Sequence, residues 1–255
     1  MWWLAHGEQD VPASLEWLSP HERDHLATIH YTKRRDEYLT RRFTAKQALA
    51  TVLDLGHDPS SLSRIEVRHH QSGAPYVVHD GVVVEVEVSL SDRAGWAVCL
   101  VGQPGVVGAG RLGIDLEIVE PRTDGFVDDF LTAAERDHVR SFPDADRRDE
   151  AANLIWSAKE AALKVQQVGL RADTRSVEVQ LAGERRADGW VPMTVVGHDG
   201  PMPGWWRRDG VFLLTIVRDV PCDLPGPCEP PVLLPTGSAL ADARPRHSWL
   251  TDPTC

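Results

Sequence analysis

The sequence predicts an α+β protein organised as a pseudo-dimer: two similar halves in one chain, each a long helix packed on a small antiparallel sheet. Three observations carry this. A long helical pattern runs from about Lys33 to Leu55, and a second runs from beyond Asp144 to Gly169. Each is followed by short apolar segments of period two, separated by turn residues. A long helix followed by a strand meander therefore occurs twice, with the halves meeting near residue 112. The repetition is read from the elements, not from matching residues. The expected division is 1–112 for the first half, 113–220 for a second half carrying the site, and 221–255 for a Pro-rich tail without fixed structure.

The elements follow in order. After a strand at Trp2–Ala5, Ser19-Pro20-His21-Glu22 reads as a helix start, with Ser as cap, Pro at the first helical position and Glu at the third. The first long helix is expected to stop at Gly56, ahead of Asp58-Pro59. Strands are expected at Ile65–Arg68, Tyr76–Val78, Val82–Ser89 and Ala94–Val101, with an Asp80-Gly81 turn. The Gly-rich connection Gly102–Gly110 leads to a strand at Arg111–Ile118, in which Leu112, Ile114, Leu116 and Ile118 alternate with other residue types. Short helices are read near Phe126–Leu131 and Ala133–Arg140. The second long helix has Asp144 as cap and Leu154, Ala158, Ala161, Val165 and Val168 as core stripe. Strands near Ser176–Leu181, Trp190–Val196 and Val211–Val217 complete the second half.

A net charge of −11 argues against a general nucleic-acid or membrane-surface binder, which carries a basic excess. Met1–His6 holds no basic leader and only a short apolar run, so neither a signal peptide nor a membrane span is expected. The cysteines Cys99, Cys222, Cys228 and Cys255 form no Cys-x-x-Cys pair. Cys222 and Cys228 could pair in the tail, but the reading preferred is reduced thiols of a cytoplasmic protein, with Cys99 a small buried residue of a strand.

Chemistry concentrates in two stretches. On the strand Arg111–Ile118, Asp115 and Glu117 point to one face, about 6.5–7 Å apart along the chain. Two like charges on one face repel, and a hard divalent cation relieves that repulsion. On the second long helix, Trp156, Glu160 and Lys164 recur every fourth residue, off the core stripe. A helix crossing the strand would bring three carboxylates and an ammonium together. Taken singly the features are ordinary: acidic residues on an edge strand, and a Glu–Lys pair of the kind found on exposed helices. Arg35, Arg42 and Lys46 form a basic stripe on the first long helix, which reads either as a solvated face or as a site for phosphate or an acidic partner. His21-Glu22-Arg23-Asp24-His25 matches His-Glu-x-x-His, a zinc-peptidase pattern. Both intervening residues are charged and no third-ligand cue follows, so a surface helix is the reading preferred.

Gly113-Ile114-Asp115-Leu116-Glu117 and Trp156-Ser157-Ala158-Lys159-Glu160-Ala161-Ala162-Leu163-Lys164, in this order and spacing, resemble the signature of the surfactin-synthetase-type 4′-phosphopantetheinyl transferases. The resemblance extends to Arg34–Arg42, Ser72-Gly73-Ala74-Pro75-Tyr76 and Val88-Ser89-Leu90-Ser91, and covers residues 1 to about 220. It implies the pseudo-dimeric fold and a monomer. It also implies transfer of the phosphopantetheine arm of coenzyme A to a serine of an apo acyl or peptidyl carrier protein, with release of 3′,5′-ADP. Polyketide or nonribosomal peptide synthesis would be the setting. By resemblance, Asp115, Glu117 and Glu160 hold Mg²⁺, Glu160 takes the serine proton directly or through water, and Lys164 stabilises the transferring phosphate. Arg35, Arg42, Lys46, Ser91, Asp92 and Lys159 are the expected coenzyme A contacts. Two departures stand out. Ala74 occupies a position usually Lys or Arg, and Asp92 one usually His, which leaves compensation to Arg35, Arg42, Lys46 and Arg93. The alternative is a non-catalytic coenzyme A or carrier-binding module on the same fold.

Overall fold

In the first half, Trp2–Gly7 forms β1, Pro20–Ala27 forms α1, and Thr32–Val52 forms α2. The cap at Ser19 is realised: its hydroxyl accepts from Glu22 N, and the Glu22 carboxylate accepts from Ser19 N. A short helix not read from the sequence, α3 (Pro59–Ser63), is capped by Asp58. Then come β2 (Ile65–His69), β3 (Pro75–His79), β4 (Val82–Val84), β5 (Val88–Arg93) and β6 (Trp96–Val101). The segment expected as one strand over Val82–Ser89 breaks at 85–87. There the chain leaves the sheet β2-β3-β4 and enters the one holding β1, β6 and β5. Ala94 and Gly95 both have positive φ (52° and 80°) and make the two-residue turn from β5 to β6, so Ala94 is not in the strand.

In the second half, Leu112–Ile118 forms β7, Asp124–Phe130 forms α4, Ala133–Ser141 forms α5, and Ala145–Val165 forms α6. A five-stranded antiparallel sheet follows, in the order β7-β11-β10-β9-β8, from β8 (Glu178–Gln180), β9 (Val191–Gly197), β10 (Gly200–Asp209) and β11 (Phe212–Arg218). The sequence reading missed β10, because Pro201, Pro203 and Gly204 break its pattern. Both prolines lie before Gly204, where pairing to β11 begins, so the missing N–H groups fall along an open edge.

The computed structural model describes residues 1–105, 110–168, 172–181, 183–219 and 230–246. It divides into two units, Met1–Ala109 with Pro231–Ala239, and Gly110–Pro230 with Leu240–Cys255. In each unit the long helix lies on a sheet. Leu49 and Ala45 of α2 are buried in one core, and Ile155, Ala158 and Ala162 of α6 in the other.

The helical segments 19–55 and 132–168 repeat at a constant offset, which the sequence reading did not register. At an offset of 113, α2 (Thr32–Val52) becomes α6 (Ala145–Val165). The capping residues Ser19 and Glu22 become Thr132 and Glu135, and Glu-Arg-Asp-His occurs at 22–25 and again at 135–138. Both long helices end in the same way. A residue with positive φ, Asp54 (54°) or Gln167 (57°), follows the cap. The next amide reaches back to close the last turn, Leu55 N to Ala50 O and Val168 N to Leu163 O. The expected stops at Gly56 and Gly169 are therefore two residues late, and Gly169 lies outside the described residues.

The Pro-rich stretch after 220 is not uniformly without structure. Val232–Leu233 forms β12, parallel to β1 at Trp2–Trp3, so that sheet is β12-β1-β6-β5 and not purely antiparallel. Leu234 is buried in the first core, and the Ser238 hydroxyl donates to Asp10. These contacts join residues more than 220 positions apart, out of reach of local pattern. Cys222, Cys228 and Cys255 lie outside the described residues; Cys99 is a free, buried thiol, its pKa pushed up by burial. Among the described residues, no helix is long and apolar enough to cross a membrane.

Candidate active site

The second unit brings Asp115, Glu160 and Lys164 together. Strand β7 is an edge strand, yet all seven of its residues are buried, because α6 lies across it. Gly113 permits the approach: a Cβ there would run into the Ala161 carbonyl oxygen of α6. Every larger residue would push strand and helix apart. The carboxylates of β7 thus face the helix that carries Glu160.

Asp115 is 2 % exposed and held on both oxygens. Lys164 Nζ lies 2.8 Å from Oδ1 and also donates to the Ile114 carbonyl at 2.8 Å. The Ser157 hydroxyl donates to Oδ2 at 2.8 Å. Glu117, buried beside it, has the Arg122 guanidinium 3.4 Å from one oxygen. Arg122 is itself fixed by Asn153 Oδ1 at 2.6 Å and lies over the Phe126 ring. Phe126 and Phe130 make edge contacts with Trp156, one helical turn before Glu160.

Glu160 is strongly altered by its surroundings. Burial pushes its carboxyl up, the Asp115 charge pushes it further, Lys164 pulls it back, and Glu117 and a hydrogen bond to Asp115 raise it again, to about 8. Were Glu160 ionised, three carboxylates would face two cations, Lys164 and Arg122, an excess that a divalent ion would offset. The cluster's donors are all carboxylate oxygens, the chemistry that suits a hard divalent ion. Among the described residues, however, no three His, Cys, Asp or Glu side chains stand in a finished metal-holding arrangement. Asp115 and Glu160 are in contact, while Glu117 leans to Arg122. The residues fit a divalent cation in donor type and charge, without a preformed cage.

The expected coenzyme A contacts fare differently. Lys159 is fully buried, 2.8 Å from Glu135 and donating to the Thr174 and Val177 carbonyls. Lys46 is fully buried as well, 2.5 Å from Glu22 and donating to the Trp17 and Leu62 carbonyls. Burial lowers the pKa of both, and the glutamates offset only part of that. Neither ammonium has a donor left for a phosphate, so both are corrected to structural residues. The reason is the repeat: each lysine answers the buried capping glutamate 24 residues upstream. This also disposes of the zinc-peptidase pattern, since Glu22 is the partner of Ser19 N and Lys46.

Arg42 is 7 % exposed and lies over the Tyr38 ring, and Arg35 donates to the Leu26 carbonyl. Ser91 and Asp92 sit on β5, and Asp92 is 2.5 Å from Arg41, a cation the sequence reading passed over. Arg41 and Arg34, seven residues apart on α2, instead line a surface hollow of about 410 Å³ with His25, Tyr31, Glu37 and Tyr38. The +7 spacing from Arg34 was as legible as that from Arg35. Ser157 and Thr215 were also passed over, and no local signal distinguished them.

Residues 111–188 match the 4′-phosphopantetheinyl transferase superfamily. That segment contains Asp115, Glu117, Glu160 and Lys164, all four residues expected to do the chemistry. The chain is 32 % identical over 92 residues to a holo-[acyl-carrier-protein] synthase of Burkholderia lata, covering 31 % of this chain and 65 % of that protein. It is 34 % identical over 71 residues to the holo-[acyl-carrier-protein] synthase of Anoxybacillus flavithermus, covering 28 % and 59 %. The chain thus spans less than two thirds of the length of these relatives. A crystal structure of a holo-(acyl-carrier-protein) synthase from Bacillus anthracis, in complex with CoA (3′,5′-ADP), aligns with 41 % of this chain and 94 % of that one. Its sequence identity is 23 % and its TM-score 0.35.

Proposed function

We propose that this protein transfers the 4′-phosphopantetheine arm of coenzyme A to a serine of an apo carrier protein, releasing 3′,5′-ADP. The observation that carries the reading is the Asp115–Glu160 contact with Lys164 inside the segment that matches the transferase family. Asp115, Glu117 and Glu160 would hold Mg²⁺, which supplies charge neutralisation at the pyrophosphate of coenzyme A. Glu160 takes the proton from the carrier serine hydroxyl as general base. Without a cation its carboxyl is raised to about 8 and holds its own proton near neutral pH, and a cation held by the three carboxylates would free it for that role. The serine oxygen then bonds to the phosphorus attached to the pantetheine arm, and the pyrophosphate P–O bond to the nucleotide breaks. The Lys164 ammonium, 29 % exposed beside the cluster, offsets charge on the transferring phosphate.

The two repeated halves in one chain support the surfactin-synthetase type, and hence acyl or peptidyl carriers of polyketide or nonribosomal peptide synthesis, acting as a monomer. In the first unit, Arg35, Arg42, Ser91 and Asp92 remain candidates for coenzyme A binding, with Arg41 and Arg34 added. Incubation with coenzyme A, Mg²⁺ and apo acyl and peptidyl carriers, read by intact-protein mass spectrometry, tests the proposal. A mass gain equal to phosphopantetheine is expected. No gain on any carrier, with coenzyme A binding retained, would favour the non-catalytic module that Ala74 and Asp92 raise.

A further inference from the structure

Ser157 and Thr215 are both fully buried, and their hydroxyls lie 2.8 Å apart. Ser157 Oγ is also 2.8 Å from Asp115 Oδ2. Thr215 stands directly across from Asp115 in the β7–β11 register. A carboxylate accepts and cannot donate, so the Ser157 proton goes to Asp115, and the Thr215 proton in turn goes to Ser157. The result is a directed chain, Thr215 to Ser157 to Asp115, in which each bond polarises the next. Lys164 holds the other carboxylate oxygen from the opposite side.

Two buried hydroxyls that merely satisfy one another would show the same short distance. The first half of the chain separates the two cases. There the position 113 residues earlier is Thr44, also fully buried, on a helix of equal length. Its hydroxyl turns onto its own helix and donates to the Thr40 carbonyl at 2.7 Å, the ordinary behaviour of a helical Ser or Thr. The residues equivalent to Glu160 and Lys164 in that half are Gln47 and Thr51. Where the acidic cluster is missing, the hydroxyl bonds backward; where the cluster is present, it is aimed at Asp115.

We propose that Ser157 and Thr215 are positioning residues that fix which lone pairs Asp115 presents to a divalent cation. The inference rests on the reading of Asp115 as a cation ligand given above. Partners of this kind behind a metal-binding side chain change metal affinity by roughly 10- to 100-fold when removed. The test is Mn²⁺ binding by calorimetry to the full chain, without coenzyme A or carrier, for wild type, Ser157→Ala, Thr215→Val and Thr215→Ser. Thermal unfolding is recorded in chelator beside each.

Ser157→Ala should weaken Mn²⁺ about 10-fold or more. Thr215→Val, which keeps the shape and removes only the hydroxyl, should weaken it less. Thr215→Ser should restore the wild-type affinity. A merely structural role moves the unfolding temperature of Ser157→Ala and Thr215→Val and leaves their Mn²⁺ affinity alone; that outcome overturns the proposal while leaving the transferase reading intact. Mn²⁺ binding in this pattern supports the proposal even where the separate mass-spectrometry assay shows no carrier modified, a result that defeats the transferase reading alone. Wild type that binds no Mn²⁺ defeats the proposal together with the metal assignment.

Discussion

Lys159 is paired with Glu135 at 2.8 Å inside the second unit, on the residue immediately before Glu160. The pair ties α6 to the capping box of α5, where Glu135 also accepts from the amides of Thr132 and Val179. It holds the helix that carries the proposed base, and the pair Lys46–Glu22 does the same for α2 in the first unit.

Removing one member of such a buried pair leaves the other charged and unpartnered by an ion. Lys159→Met should therefore cost about 3–5 kcal/mol of stability. Chemical denaturation of the variant checks this. If stability is unchanged while coenzyme A binding falls, Lys159 touches the nucleotide after all and its structural assignment is wrong.

The carboxyl of Glu160 titrates at about 8, against an ordinary value of 4.5. A raised carboxyl favours the protonated form in the folded state. Its stabilising contribution is complete below about 4.5 and is lost as pH rises through about 8. In chelator, the unfolding temperature of wild type should fall across that window relative to Glu160→Gln, which cannot ionise. Parallel curves for the two proteins would show that Glu160 is not perturbed.

Divalent cation binding should expel the proton that Glu160 holds, so affinity for Mg²⁺ or Mn²⁺ should rise with pH up to about 8. Calorimetry in buffers of different ionisation enthalpy counts the protons released. In the transfer assay, Glu160→Gln should lower the rate by about 10²- to 10⁴-fold, the usual weight of a general base. A variant with near-normal turnover would move the base elsewhere.

Gly113 sets the distance between β7 and α6. Gly113→Ala should cost roughly 1–3 kcal/mol, as overpacking generally does. It should also loosen the grip of Lys164 and Ser157 on Asp115, so Mn²⁺ affinity should drop with stability. Loss of stability without loss of affinity would mean that the site tolerates a wider gap.

Asp92 neutralises Arg41 at 2.5 Å. Asp92→His should release Arg41 for an anion and strengthen coenzyme A binding about 3- to 10-fold, an effect that added salt should diminish. Calorimetry of wild type and variant decides it. Unchanged affinity would place the nucleotide away from β5.

Much of this protein follows from local pattern. Alternation over Leu112–Ile118 makes a strand, a 3.6-residue period makes each long helix, and four-residue spacing puts Glu160 and Lys164 on one face. These are properties of neighbours along the chain, and they also reveal the carboxylates and the two-half plan. The 113-residue repeat, including Glu-Arg-Asp-His in both halves, was equally present in the letters.

Tertiary structure alone decided which charges are buried. Nothing in the spacing of Lys46 or Lys159 says that a glutamate 24 residues upstream will meet it, since that depends on how two helices pack. Likewise β12 finds β1 across the length of the chain, and Ser157 turns to Asp115 only because Gly113 lets a strand come close. Periodicity reports which residues share a face; the environment of that face is set by elements distant in sequence, and that environment fixes whether a charge serves the core or the chemistry.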